Sequence, residues 1–159
     1  YANALWGRGN CWITVFIPEF IDIVQPSKPV KLMLINALEK QIKALVKYQD
    51  ESGLWHTLIT DPSSYLESSA TAGFCAGMIK AVRMGYISKD YLVSAKKALS
   101  ALYEEIDEDG TVQHVSYGTN VGRDLDHYRN IPIRPMQYGQ GLTMIAIIEG
   151  NEIFKEEEI

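Results

Sequence analysis

The feature of this sequence that most constrains its fold is an alternation between two kinds of helical segment. Three segments are apolar or small on nearly every side, which predicts buried helices: residues 10–24, 65–84 and 142–148. Two others carry apolar side chains at three- and four-residue steps with charged residues between them: residues 29–48 and 89–105. Pro18 is expected to kink or break the first segment. The predicted order is buried, amphipathic, buried, amphipathic, buried.

The connections between these segments also repeat. Two long ones open alike, as Asp50-Glu51-Ser52-Gly53 and Asp107-Glu108-Asp109-Gly110, and the two glycines stand 57 positions apart. That offset matches one helical hairpin with its loop, so we predict an all-α chain of stacked αα-hairpins. An α/α toroid typically has buried inner helices, half-exposed outer helices and long loops that meet at one end. A chain of 159 residues holds fewer than three such units, too few to close a ring.

Composition excludes several classes of partner. Fifteen Lys and Arg against 20 Asp and Glu give a net charge of −5, which argues against nucleic-acid binding. No apolar run reaches the roughly 18 residues that a membrane span needs. Cys11 and Cys75 form neither a metal-binding spacing nor a disulfide framework, and His114 and His127 lack a second ligand pair. We therefore predict no metal, and unpaired cysteines favour a cytoplasmic location.

The densest cluster of candidate site residues lies near the start, as Trp6-Gly7-Arg8-Gly9-Asn10-Cys11-Trp12. Aromatic faces stack on sugar rings, and the planar guanidinium of an arginine pairs with a carboxylate, so this cluster suits an acidic sugar. Ordinary core aromatics, with Arg8 bound to a helix end or a carbonyl, explain the same residues equally well.

Two further candidates come from later segments. Trp55 and His56 stand in a long connection, where they would form a sugar-binding wall and a proton-handling group, or simply pack the loop. Glu67 opens the second apolar segment, behind a cap predicted at Ser63 or Ser64. There it suits the positive end of the helix dipole, and it is also a plausible site carboxylate.

Four elements occur in order along the chain: Trp6-Gly-Arg8-Gly-Asn10-Cys-Trp12, Gly53-Leu-Trp55-His56, Tyr65-Leu-Glu67-Ser-Ser-Ala-Thr71-Ala and Gly118-Thr-Asn-Val-Gly122. Together they resemble those of the unsaturated glucuronyl and rhamnogalacturonyl hydrolases, glycoside hydrolase families 88 and 105. The first element is the most specific. The resemblance runs over essentially all of residues 1–159 but covers only about the C-terminal half of the family domain, a six-hairpin (α/α) barrel. The chain is therefore expected to form an incomplete barrel domain.

The resemblance implies an unusual hydrolysis. Enzymes of this kind act on oligosaccharides that end in a 4,5-unsaturated uronic acid. An aspartic acid protonates C4, water adds at C5, and the resulting hemiketal collapses and releases the neighbouring sugar, unlike the displacement used by ordinary glycosidases. No metal or organic cofactor is implied. Pectin-derived substrates of family 105 are slightly favoured, and the residues expected to bind substrate are Trp6, Arg8, Trp12, His56 and Glu67.

One departure from the family pattern bears on activity. The family aspartate lies upstream of the first element, and no acidic residue precedes Arg8 here. We therefore expect a fragment without its proton donor, with the missing N-terminal half or a second copy covering its exposed inner helices. Residues 152–158, which hold four acids and one lysine, are expected to form a solvated end. The alternatives are a non-catalytic carbohydrate-binding or interaction module and, less well supported, another α/α-toroid enzyme such as an epimerase or lyase.

Overall fold

The computed structural model describes residues 2–154, so most of the predicted solvated end lies outside the described residues. The helices are α1 (Gly7–Val24), α2 (Lys28–Lys47), α3 (Ser68–Arg83), α4 (Leu92–Glu104), α5 (Leu125–Arg129) and α6 (Gln137–Asn151). A 3₁₀ turn, Lys89–Tyr91, leads into α4. Two short antiparallel strands, β1 (Trp55–His56) and β2 (Leu66–Glu67), pair just before α3.

Helix α3 is the centre of the structure. It packs between α1 and α6, and α4 lies against it as well. All of its residues from Ser68 to Val82 are buried, which confirms the predicted buried helix. Its glycines allow close approach, since a Cβ placed on Gly77 would lie 2.3 Å from the carbonyl oxygen of Thr14 in α1. The small residues of this segment therefore set the distance between α1 and α3.

The two amphipathic helices cover the inner ones as predicted. Helix α2 packs on α1 and buries Leu38, Ile42 and Leu45, whereas Lys28, Lys40, Lys43 and Lys47 are exposed. Helix α4 packs on α3 and α6 and buries the stripe Ala95, Leu99 and Leu102. The alternation of inner and outer helices is confirmed.

The prediction of full burial is wrong for α1 and α6. Large apolar side chains on one face of each helix are exposed: Trp12, Ile13, Phe16, Ile23 and Val24 on α1, and Met144, Ile145 and Ile148 on α6. The physical reason is that α3 and α2 cover the rest of α1, and α3 and α4 cover the rest of α6, whereas no described element covers the remaining face of either helix. Pro18 lies within α1 without ending it, so the expected break does not occur.

The predicted start of α3 is also wrong. Residues 65–67 are extended, because Leu66 and Glu67 pair with the strand at Trp55 and His56, so the helix begins at Ser68. Glu67 itself is the N-cap, in place of Ser63 or Ser64. Helix α5 lies within a connection for which no helix was predicted.

The long connections meet at one end of the molecule, as expected. The N-terminal ends of α1, α3 and α6 point to this end. Gly7 donates to the Thr57 carbonyl from one connection, and Ser68 donates to the His114 carbonyl from the other. In the part of the chain that the structure describes, no helix is long and apolar enough to span a membrane.

Candidate functional site

A loop of residues 112–117, which we call the strap, crosses the N-terminal end of α3. The carbonyl of His114 accepts from Ser68 at 3.0 Å, and the backbone N–H of Ser116 donates to Glu67 Oε1 at 2.9 Å. His114 has a φ of +51°, a left-handed conformation that turns the strap. Val115 and Ser116 are fully buried, so the strap is part of the packed structure rather than a surface loop.

Arg8, in the first turn of α1, is bound by the strap. Its Nη1 donates to the carbonyl oxygen of Ser116 at 2.7 Å and to the Ser116 hydroxyl, and Nη2 donates to the Tyr117 carbonyl at 3.0 Å. The residue is only 4% exposed. Of its five N–H groups, the one on Nε and the second on Nη2 have no acceptor among residues 2–154. The guanidinium is thus fixed along one edge and keeps two free donors.

Two aromatic rings enclose the Arg8 guanidinium. Its central carbon lies 4.7 Å from the ring of Trp6 and 4.5 Å from the ring of Tyr138, both within cation–π range. The Tyr138 hydroxyl donates to the same Ser116 carbonyl that Arg8 uses. Burial raises the pKa of Tyr138. Sequence reasoning missed Tyr138 and Ser116, since no local pattern links α6 and the strap to a residue more than 100 positions earlier.

Glu67 lies beneath this cluster and is fully buried. Its carboxylate accepts from the backbone N–H groups of Ser69 at 3.2 Å and Ala70 at 2.7 Å, from the Ser69 hydroxyl, and from Ser116. Arg8 Nη1 is 3.9 Å from Glu67 Oε1. The geometry is that of a helix cap that also binds the strap. Direct contact between Glu67 and substrate stays a prediction.

Several buried polar atoms near this cluster have no hydrogen-bond partner among the described residues. They include Trp6 Nε1, the Thr57 hydroxyl and the Tyr65 hydroxyl. Burial raises the pKa of Tyr65, and the neighbouring side chains of Thr57 and Ser116 oppose that rise. Buried polar groups are nearly always paired, so these atoms are the natural partners of water or of a ligand's hydroxyl groups.

The structure does not bring the other two predicted residues into the cluster. Trp12 lies one turn beyond Arg8 on α1 and is 46% exposed, a position open to a ligand. His56 donates from Nδ1 to the Ser64 carbonyl, and its Nε2 is 3.6 Å from Asp50 Oδ2. It lines a separate cavity of about 310 Å³ with Asp50, Tyr48 and Thr60. Substrate binding by Trp12 and His56 stays a prediction.

No group of three or more His, Cys, Asp or Glu that would hold a metal ion is found within residues 2–154. Both cysteines are buried and unpaired, and burial raises the pKa of each thiol. Cys11 and Cys75 therefore behave as small packing residues.

Comparison with known proteins places this arrangement in a family. The sequence model described as Glycosyl Hydrolase Family 88 matches residues 1–154. The chain belongs to glycosyl hydrolase family 88. Among curated relatives, the unsaturated rhamnogalacturonyl hydrolase YesR of Bacillus subtilis (strain 168) is 36% identical over 145 residues. The match covers 91% of this chain and 40% of YesR, so the chain spans well under half of that relative's length.

Solved structures share the fold of this chain. A crystal structure of a possible member of the GH105 family, from Salmonella enterica serovar Paratyphi A, superposes with a TM-score of 0.94 at 46% identity. The superposition covers 97% of this chain and 42% of the Salmonella chain. An unsaturated glucuronyl hydrolase from Bacillus sp. GL1 shares the fold, with a TM-score of 0.70 at 17% identity over 92% of this chain and 39% of its own. The predicted all-α, α/α-toroid fold is confirmed.

Proposed function

We propose that this chain is the part of an unsaturated glycosyl hydrolase that binds the uronic acid at the non-reducing end of an oligosaccharide. The observation that carries the proposal is the Arg8 guanidinium, enclosed by Trp6 and Tyr138 and left with two free N–H donors. Relatives named for unsaturated rhamnogalacturonyl and 3S-rhamnoglycuronyl hydrolysis support the substrate class. By the likeness to YesR, we propose rhamnogalacturonan-type substrates.

The chemistry of Arg8 suits a carboxylate ligand. The edge that binds Ser116 and Tyr117 is occupied, so a substrate carboxylate would take the Nε and Nη2 hydrogens. The rings of Trp6 and Tyr138 cover the flat faces of the guanidinium, so a ligand would approach along that edge. The hydroxyls of Thr57 and Tyr65 neighbour each other without a well-formed hydrogen bond, and they would pair with sugar hydroxyls or with bridging water.

The proton needed at C4 of the unsaturated ring would come from another carboxyl group. Glu67 is unsuited to that role, because it is fully buried and both of its oxygens accept hydrogen bonds from α3 and the strap. We propose that an aspartate outside the Arg8 cluster, from the part of the barrel that relatives carry beyond this chain's match, donates the proton. Water then adds at C5 and the hemiketal collapses.

The exposed apolar faces also support a site that is completed by a further part of the barrel. Helices α1 and α6 flank α3, and each presents large apolar side chains on the side away from it. We propose that further helical hairpins of the barrel, or a second copy, cover these faces when the site is complete.

A second candidate, binding without turnover, is favoured by one observation. Among residues 2–154, the one carboxylate within 4 Å of the Arg8 guanidinium is the capping Glu67. On this alternative the chain holds an acidic sugar but does not consume it.

The test follows the ultraviolet absorbance of the unsaturated uronate, together with calorimetric binding of an unsaturated galacturonate–rhamnose disaccharide. Arg8→Ala is expected to lower binding at least tenfold, whereas Arg123→Ala, an exposed arginine outside the cluster, is expected to leave it unchanged. Because the proposed proton donor lies outside this chain, absorbance is followed with the chain joined to the part of the barrel that relatives carry beyond the match. Binding with loss of absorbance then supports the hydrolase, and binding without loss supports the second candidate. Equal binding by Arg8→Ala and the unaltered chain contradicts both.

A further inference from the structure

We propose that Glu67 is a positioning residue for Arg8, acting through the backbone of Ser116. The consequence for substrate rests on the proposed function, but the positioning itself is a property of the chain alone. Glu67 thereby differs from a residue that only caps a helix, since its carboxylate joins α3, the strap and α1 in one connected group.

The first step is the reach of the carboxylate. Glu67 stands 49 positions before Ser116, yet its Oε1 accepts from the Ser116 N–H at 2.9 Å while Oε2 accepts from the Ala70 N–H at 2.7 Å. An N-cap needs only the bonds within the first turn of its own helix. The additional bond to Ser116 fixes the strap relative to the N-terminal end of α3.

The second step is the relay through Ser116. Its N–H is held by Glu67, and its carbonyl accepts from both Arg8 and Tyr138. A shift of Ser116 would therefore move the carbonyl oxygen that accepts from both the Arg8 guanidinium and the Tyr138 hydroxyl. The direct distance of 3.9 Å between Arg8 Nη1 and Glu67 Oε1 is too long for a hydrogen bond, so orientation passes through Ser116.

The third step is electrostatic. A buried guanidinium is stable only when a nearby opposite charge or strong acceptors compensate it. Among the described residues, Glu67 is the carboxylate that lies within 4 Å of Arg8, and it is as deeply buried as Arg8 is. Glu67 thus sets both the position of Ser116 and the field in which the two free N–H groups of Arg8 meet a ligand.

Glu67→Asp separates the two roles of this residue. Aspartate is a good N-cap and keeps the negative charge, but it is one methylene shorter and loses its reach to Ser116. Ser69→Ala is the matched control, because it removes the Ser69 hydroxyl bond to Glu67 and leaves the bond from Ser116 intact. Glu67→Gln keeps the length and removes the charge, and it serves if the shorter variant fails to fold.

The ligand-free readout is the side-chain ¹⁵N–¹H spectrum of Arg8, assigned by comparison with Arg8→Lys. Glu67→Asp and Glu67→Gln are expected to move the Arg8 signals, and Ser69→Ala is expected to leave them in place. In urea unfolding, the double variant that carries Arg8→Lys and Glu67→Asp should shift the midpoint by less than the sum of the shifts of the two single variants. A residue with only a capping role would give unmoved signals and additive shifts.

The ligand readout is the affinity for the unsaturated galacturonate–rhamnose disaccharide. Glu67→Asp is expected to weaken binding about tenfold, and Ser69→Ala less than twofold. Moved Arg8 signals in a chain that does not bind the disaccharide would uphold the positioning role and contradict the proposed function. Unmoved Arg8 signals in both Glu67 variants, with binding equal to that of the unaltered chain, would overturn the inference and leave the proposed function standing.

Discussion

At the scale of single residues, buried polar groups rather than apolar ones give the site its geometry. Arg8, Glu67 and Ser116 are each nearly inaccessible to solvent. A buried donor or acceptor without a partner costs about 1–3 kcal/mol, so each of these groups constrains the positions of the others. The three residues come from three separate elements. Their mutual bonds therefore fix where α1, α3 and the strap meet.

Asp61 provides a pH-dependent contact on the same end of the molecule. Its carboxylate accepts from the Ser63 hydroxyl and backbone and binds Arg129 at 2.8 Å, which lowers its pKa from 3.8 to about 2. Because the folded-state pKa lies below the unfolded value, the stabilising effect is complete above about pH 4 and is lost as pH falls toward 2. The unfolding midpoint in urea, measured from pH 7 to pH 2.5, reports this loss.

Asp61→Asn is the matched variant for that titration. It keeps the shape of the side chain but cannot titrate, so its deficit in stability relative to the unaltered chain should be largest near neutral pH and shrink below pH 4. A deficit that stays the same at pH 3 and pH 7 would show that the Arg129 contact contributes nothing through charge.

The sequence predicted the residue types of the site better than their contacts. Trp6 and Arg8 were found because aromatic and cationic residues crowd one short stretch. Ser116 and Tyr138 were not, since they reach Arg8 only through the fold, from 108 and 130 positions away. Glu67 was recognised as suited to a helix N-terminus, and its exact place as the cap depended on strand pairing that local periodicity does not reveal.

At the scale of elements, close contact between α1 and α3 depends on glycine. A methyl group on Gly77 would meet the Thr14 carbonyl oxygen at 2.3 Å, and backbone cannot move aside as a side chain does. We predict that Gly77→Ala destabilises the chain by about 1–3 kcal/mol, the usual cost of overpacking. The measurement is the free energy of unfolding in urea.

Gly141→Ala is the control for this prediction. Gly141 also lies within a helix, α6, but a methyl group there would have no neighbour within 4 Å. Since alanine is the better helix former, this variant should be neutral or more stable by up to about 1 kcal/mol. Equal destabilisation by the two changes would mean that helix propensity, and not the α1–α3 distance, governs both.

The elements that the sequence predicted correctly are those whose pattern is complete in one segment. Helices α2 and α4 follow the 3.6-residue period, and α3 is unmistakable from its small residues. The pair of short strands and α5 were missed because they form where one connection docks on another. An example is the contact of Arg129 from α5 with Asp61.

At the scale of the whole molecule, the two ends of the inner helices are held by different chemistry. At the end opposite the Arg8 cluster, Lys80 on α3 binds Glu19 on α1, and Arg83 on α3 binds Glu149 on α6. These ion pairs connect α3 to both flanking helices. The contacts at these two ends leave the outward faces of α1 and α6 exposed, although the apolar composition of both helices predicted that they would be buried.

Because the outward faces of α1 and α6 are apolar and exposed, we predict that this chain self-associates as its concentration rises. Phe16 is 58% exposed, and its ring lies tilted against that of Phe20 with the ring centroids 5.5 Å apart, within the apolar face of α1. Because burial of such a face is favourable by about 25 cal/mol per Å², sedimentation velocity should show species larger than the 17.9 kDa monomer as concentration rises. Phe16→Glu should return the chain toward the monomer. Val93→Glu, at a 79% exposed position on the outer helix α4, should not. Association that Val93→Glu disrupts and Phe16→Glu leaves intact would place the contact on the outer helices instead.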